Sequence, residues 1–183
     1  FPFADMYDWI SYLTKISKKT KYKWFLKTHP KMDQKWEYYQ NLTRKFIDDM
    51  VKDSNITILD PNTSHNELIE FGIDFMLTIF GTAAHEYAFK KIKVINGGYT
   101  NPHVDFKFNL NVKNFKEYDY LLNNLDKVDF KINEDEIFEF YYMHYVHTDK
   151  NWFFEDYDKL LNNLEDYHSQ YNSDIYSYWV DNY

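Results

Sequence analysis

The chain has 183 residues, 21 basic and 29 acidic side chains (net charge −8 with neutral histidines), 44% hydrophobic and 21% aromatic residues, and no cysteine. That length suits about one domain, the apolar content excludes a disordered chain, and the lack of cysteine excludes a disulfide scaffold, a thiolate metal site and a Cys nucleophile. The acidic balance argues against nucleic acid as a partner but leaves room for one local phosphate pocket, and no apolar run approaches the ~20 residues of a membrane span.

Phe1-Pro2-Phe3 lacks an initiator Met, a basic segment and an apolar segment, so the chain reads as an excised fragment or processed product and not as a signal peptide. The cytoplasm is the expected setting, and the sequons at Asn41, Asn55 and Asn62 read as chance. Met6, Trp9, Leu13 and Ile16 recur at helical spacing, and Lys15, Lys18 and Lys19 suit the end of that helix. Tyr22–Leu26 is a short strand, stopped by His29-Pro30. Trp36, Tyr39, Leu42, Phe46, Ile47 and Met50 mark a second helix, and Asn55–Leu59 a second strand.

Ser64-x-x-Glu67 matches a capping box, and Gly72 suits the position after that short helix. Phe75–Phe80 is a third strand, apolar enough to be covered on both faces. After Gly81-Thr82, residues Ala83–Lys90 read as helix, and Lys93–Ile95 is a fourth strand before Gly97-Gly98. A fifth strand falls around Phe106–Val112, then a helix over Phe115–Leu125. Past Lys131 the apolar spacing is helical, through Ile137, Phe138, Tyr141 and Tyr145 to Tyr157–Leu164. Tyr118–Leu125 echoes Tyr157–Leu164, which we read as chance because two units are too few for a solenoid.

Alternating strands and helices predict an α/β fold: a Rossmann-like parallel sheet flanked by helices, with a helical C-terminal extension. The expected divisions are an entry or linker helix at 1–19, a Rossmann-like domain at 20–130 and helices packed on that core at 131–183.

Ligands of open parallel sheets bind beyond the carboxyl ends of the strands. Lys27-Thr28-His29-Pro30, Gly81–Glu86 and Asn96–Tyr99 occupy such ends. Gly81 permits a sharp turn, Thr82 is a natural N-cap, and the amides at Ala83 and beyond suit a phosphate. Glu86, one turn in, either accepts hydrogen bonds from a ribose diol or only complements the helix dipole. Lys27 and His29 share one side of an extended segment. They form either a cation and proton donor for a leaving phosphate or a surface lysine and a turn histidine. His144-x-x-His147 with Asp149 is poor evidence for a metal site. His65 lies in a first helical turn, from which it can face the cleft, and Tyr99, Asn101 and His103 are placed to line a sugar pocket or to be plain loop.

Taken in order, Lys27-x-His29-Pro30, Ile58-Leu59-Asp60, Ser64-x-x-Glu67-Leu68, Gly81-Thr82-Ala83-x-x-Glu86 and Lys93-Val94-Ile95-x-Gly97 resemble the C-terminal, donor-binding half of a GT-B glycosyltransferase. The nearest type is that of bacterial capsular polysaccharide biosynthesis proteins, Kdo-transferase and polysialyltransferase among them. The resemblance spans residues 20–125. It implies that Lys27 and His29 contact the donor phosphate, with His29 assisting departure of the nucleotide. It also implies that Gly81, Thr82 and Ala83 cradle phosphate or ribose, that Glu86 holds the ribose hydroxyls, and that Gly97 and Gly98 border the donor.

The partners it implies are a nucleotide sugar, a glycan acceptor and an N-terminal GT-B half that brings the acidic base. No cofactor or metal is expected, since Lys27, His29 and the helix start can neutralise the phosphate, and the parent protein is expected at the cytoplasmic face of the inner membrane. His85 departs from the small residue expected before Glu86. Two rival readings are a polyol-phosphate transferase or epimerase on the same scaffold, and a noncatalytic α/β interaction module docking through its aromatic tail.

Overall fold

A computed structural model describes residues 2–28, 37–99 and 101–147, with backbone alone at 37–40. Three of its helices begin where a side chain takes up an unpaired amide of the first turn. Asp5, in extended backbone, accepts from the Asp8 amide and starts α1 (Met6–Lys19), which Lys18 and Lys19 close. Asn114 does the same through the Glu117 amide for α5 (Phe115–Asn123). The capping box is present at α3 (His65–Phe71), where Ser64 Oγ accepts from the Glu67 amide and Glu67 accepts from the Ser64 amide. Hydrogen bonds from the Ser64 amide, and then from its hydroxyl, hold the exposed Glu67 carboxyl below its usual range. Gly72 ends α3 in left-handed backbone (φ +91°), which a side chain would disfavour.

Between these helices lie β1 (Trp24–Leu26), β2 (Ile56–Ile58), β3 (Phe75–Thr78), β4 (Lys93–Asn96) and β5 (Leu110–Asn111). α2 (Glu37–Val51) crosses from β1 to β2, and α4 (Ala83–Phe89) from β3 to β4. All pairings are parallel, with Leu26 opposite Ile58, Thr78 opposite Asn96, and Asn96 opposite Asn111. The fold is α/β, with parallel strands and flanking helices, as the alternation of elements demands.

The expected single sheet is corrected in one respect: the pairing falls into two sheets, β1–β2 and β3–β4–β5. The strands are two to four residues long, so ordinary twist leaves few positions where a ladder can continue. The two sheets still share one core. Trp24 and Ile56 of the first join Phe75, Leu77, Ile95 and Leu110 of the second, with Leu13 and Ile16 from α1 and Tyr118 and Leu122 from α5. Within β1 the sides alternate: Leu26 turns to Ile10, Ile47 and Val51, whereas Phe25 meets Phe71 of α3 edge-on at 5.5 Å.

The expected linker helix is an integral part of this core. Trp9 Nε1–H donates to Tyr118 Oη at 2.8 Å, Tyr12 Oη donates to Asp119 at 2.7 Å, and Phe3 closes the cluster against Tyr12, Phe115 and Tyr118. Burial pushes the Tyr118 phenol above its ordinary value, so it stays neutral. Tyr118→Phe keeps the ring and strands the indole donor of Trp9. We expect a loss of about 1–2 kcal/mol, read by urea denaturation; an unchanged midpoint would show that the Trp9–Tyr118 bond contributes nothing.

The chain divides into two compact units, Phe1–Ile137 and Phe138–Tyr183. The division falls inside α6 (Glu134–Tyr141), past the boundary expected at residue 131. In the second unit α6 continues as a π-helical turn, Tyr142–His147, where His144 stacks on Phe140 at 3.9 Å. Residues 148–183, including the expected Tyr157–Leu164 helix and the aromatic tail, lie outside the described residues. Among the described residues no helix is long and apolar enough to cross a membrane.

Candidate functional site

Parallel pairing sets the carboxyl ends of β3, β4 and β5 along one rim, and Lys27 and Leu59 along the rim of the smaller sheet. The Leu59 amide donates to the Leu26 carbonyl at 2.9 Å, carrying the ladder to the residue before Lys27. Lys27 is half-buried at this end. His29, the expected proton donor, and Pro30 lie outside the described residues.

One side-chain contact links the start of α3 to the first turn of α4. His65, first residue of α3, places Nδ1 3.0 Å from Glu86 Oε2 in the first turn of α4. A carboxylate only accepts, so Nδ1 carries the hydrogen. The His65 ring lies against Tyr87 at 4.7 Å. Burial, and then the Glu86 charge, push the Tyr87 phenol up to about 12. The capping box was the one legible signal, since it fixes His65 as the opening residue of its helix.

Gly81 and Thr82 act differently from expectation. Gly81 has φ +130° with open space around it, so the backbone and not crowding requires glycine. Thr82 is not an N-cap through its side chain: its backbone is already helical (φ −74°, ψ −22°) and its hydroxyl makes no capping bond. A capping side chain reaches back from an extended residue, as at Asp5, Ser64 and Asn114. The Gly81 turn delivers the chain into helix one residue too early for that. Thr82 is exposed, Ala83 half-buried and Ala84 buried.

The Gly97-Gly98 turn runs directly beside this segment. The Gly97 amide donates to the Thr78 carbonyl at 2.8 Å. A Cβ on Gly98 would overlap the Ile79 carbonyl oxygen and lie 2.7 Å from the carbonyl carbon. Gly97 has slightly more room, its nearest neighbours being a Tyr118 ring carbon at 3.2 Å and Ile79 Cγ2 at 3.3 Å. Phe80, expected as the last strand residue, is instead exposed at the rim.

His85 does not face the rim. It is buried, and its Nδ1 lies 2.8 Å from Nε2 of His103, itself fully buried. Asn101 Oδ1 accepts the His103 amide hydrogen at 3.1 Å and contacts His103 Nδ1. His103 Nδ1 is therefore the donor, Nε2 of its neutral form is an acceptor, and His85 supplies the proton between the rings. The chain continues from Asn101 Nδ2 to Asn96 Oδ1 at 3.4 Å, and from Asn96 Nδ2 to Asn111 Oδ1 at 2.9 Å. Asn111 Nδ2 then donates to the Phe106 carbonyl at 2.8 Å. Asn101 and His103, expected at a sugar pocket, are thus spent on a buried network. Tyr99 is exposed, and its hydroxyl donates to the Lys113 carbonyl.

Two depressions, of 470 and 370 Å³, lie away from this rim, at Thr20–Phe25 with Asn55 and Thr57, and at Lys131–Asp135. No group of three metal-ligating side chains comes together among the described residues. His144 contacts the Phe140 carbonyl at 3.1 Å, and Asp149 lies outside the described residues. The sequence also carries Asp156-Tyr157-Asp158, again outside them, a spacing that can serve a metal. The rim beyond β3 and β4 thus offers one oriented carboxylate, Glu86 held by His65, beside the Gly81-Thr82-Ala83 and Gly97-Gly98 turns, and Lys27 lies at the end of the smaller sheet. The chain matches no protein family, no curated protein and no solved structure in comparisons of sequence and fold.

Proposed function

We propose that this chain binds the donor of a glycosyltransferase, taking a nucleotide sugar at the carboxyl rim of its strands for capsular or other surface polysaccharide synthesis. One observation carries the reading: the His65–Glu86 hydrogen bond (3.0 Å), which holds an acceptor carboxylate beside the Gly81 turn on the rim that Gly97 and Gly98 border. A carboxylate so held suits a vicinal diol, whose two hydroxyls both donate. Lys27 supplies positive charge for the diphosphate, and the open space around Gly81 admits a bulky anion.

In this reading His29 protonates or shields the departing phosphate, and the reaction proceeds by electrostatic relief of the leaving group with no covalent intermediate. The glycan acceptor and its activating base belong to a partner half that faces this one, at the cytoplasmic face of the inner membrane. Residues of this chain bind and orient the donor, so its own measurable property is nucleotide affinity.

Calorimetric titration with CMP, UDP and GDP tests this. We expect saturable binding of one of them, weakened about tenfold, or about 1.4 kcal/mol, by Glu86→Ala and by His29→Ala. No binding of any of the three removes the donor-binding reading in favour of a noncatalytic interaction module. Preferential binding of a glycerol-phosphate nucleotide moves the reading to polyol-phosphate transfer.

A further inference from the structure

We propose that His65 is a positioning residue of this rim: by holding Glu86 Oε2 through its Nδ1–H, it presents Oε1 to a ligand's 2′,3′-diol and so sets the preference for ribose. The inference rests on the donor-binding reading and adds a residue that the motifs do not contain.

An exposed ion pair is ordinarily worth little, because two mobile side chains must be ordered to make it. Here both partners are already restrained. The Ser64–Glu67 capping box fixes the first residue of α3. The His65 ring is seated against Tyr87, which is itself buried. Glu86 stands on a helix whose Ala84, His85, Tyr87 and Ala88 are all buried, so only its own side-chain torsions are left to settle. One hydrogen bond to Oε2 settles them. Oε1 makes no hydrogen bond among the described residues, and the Glu86 side chain keeps 44% of its surface exposed. A carboxylate with one oxygen already hydrogen-bonded and its side chain still partly exposed has fewer torsions to settle, so less ordering is left to the ligand.

The test separates the donor from the ring. His65→Phe keeps a planar ring for Tyr87 and removes the donor; His65→Asn keeps an N–H near the position of Nδ1. Each variant and Glu86→Ala is titrated with the nucleotide that binds best among CMP, UDP and GDP, and with its 2′,3′-dideoxy counterpart. We expect the wild-type chain and His65→Asn to prefer the ribonucleotide by about tenfold or more. His65→Phe and Glu86→Ala lose that preference while their affinity for the dideoxy compound stays unchanged.

A merely structural role would lower both affinities together. If Glu86→Ala abolishes the preference and His65→Phe leaves it intact, the positioning role is wrong and the donor-binding reading stands. If no nucleotide binds the wild-type chain, both are wrong.

Discussion

Gly98→Ala is expected to cost on the order of 4 kcal/mol of folding stability, beyond the usual penalty for an added methyl in a packed interior. The new Cβ would overlap the Ile79 carbonyl oxygen and lie 2.7 Å from its carbon and 3.2 Å from its Cα. Every one of those atoms is main chain, at the end of β3, so relief requires β3 and the turn after β4 to separate. Those strands are paired from Phe75–Lys93 to Thr78–Asn96, and the Gly97 amide continues the pairing to Thr78. Gly97→Ala is the matched control. Its methyl would meet only side-chain carbons of Tyr118 and Ile79, at 3.2 and 3.3 Å, which can yield by tenths of an ångström at about 1 kcal/mol. Urea denaturation of both variants gives the comparison. Equal midpoints would mean that the close approach at Gly98 is not a constraint on the fold.

The contrast also bears on what a glycine pair says in a sequence. Gly97-Gly98 after a strand suggested a ligand-bordering turn, and Gly81 a sharp one. Only Gly81 has the backbone that favours glycine, at φ +130°. Gly98 is glycine because the main chain of Ile79, just past β3, passes through the volume of its Cβ. Both causes leave the same letter in the sequence, and only the neighbours in space separate them.

Features written in a few consecutive residues were legible for this reason. The stripe Leu13, Ile16 gave α1, Tyr118 and Leu122 gave the buried side of α5, and Ser64, Glu67 and Gly72 gave both ends of α3. Strand existence was legible too, because apolar runs between helices have few other uses. Strand length was not: Phe80 carries the apolar run past the last paired residue, Thr78, and turns outward. Thr82 has the composition of a cap, yet capping depends on the dihedral angles that Gly81 imposes on it.

The least legible part was the fate of the polar residues near the rim. His85, Asn96, Asn101, His103 and Asn111 spread over 27 positions with no recognisable spacing. Their partners are set by how α4 packs on β4 and how the loop after Gly98 folds back. Each donor meets an acceptor: His85 to His103, His103 to Asn101, Asn101 to Asn96, Asn96 to Asn111, Asn111 to the Phe106 carbonyl. A buried chain of this kind is stable only when complete. It also accounts for the bulky residue before Glu86. The His85 ring fills space shared with His103, and so anchors from within the helix that carries Glu86 at its surface.

Asn96 is the branch point of that chain, and Asn96→Ala is expected to cost about 3 kcal/mol. Its Oδ1 accepts from the buried Gly98 amide at 3.1 Å and from Asn101 Nδ2 at 3.4 Å, while its Nδ2 donates to Asn111 Oδ1 at 2.9 Å. Alanine leaves the Gly98 donor without that acceptor in a space closed to water, and the penalty for a stranded group exceeds the net worth of the bond. Asn96→Asp separates the two functions of the side chain. One oxygen still accepts from Gly98, but the other now faces the Asn111 oxygen, so acceptor meets acceptor and a charge is buried. Asn96→Asp with Asn111→Ala removes that conflict and should recover part of the loss. Urea midpoints of the three variants at constant slope measure these differences. A loss below about 1 kcal/mol for Asn96→Ala would place Asn96 in reach of solvent and dissolve the network as a constraint on the rim.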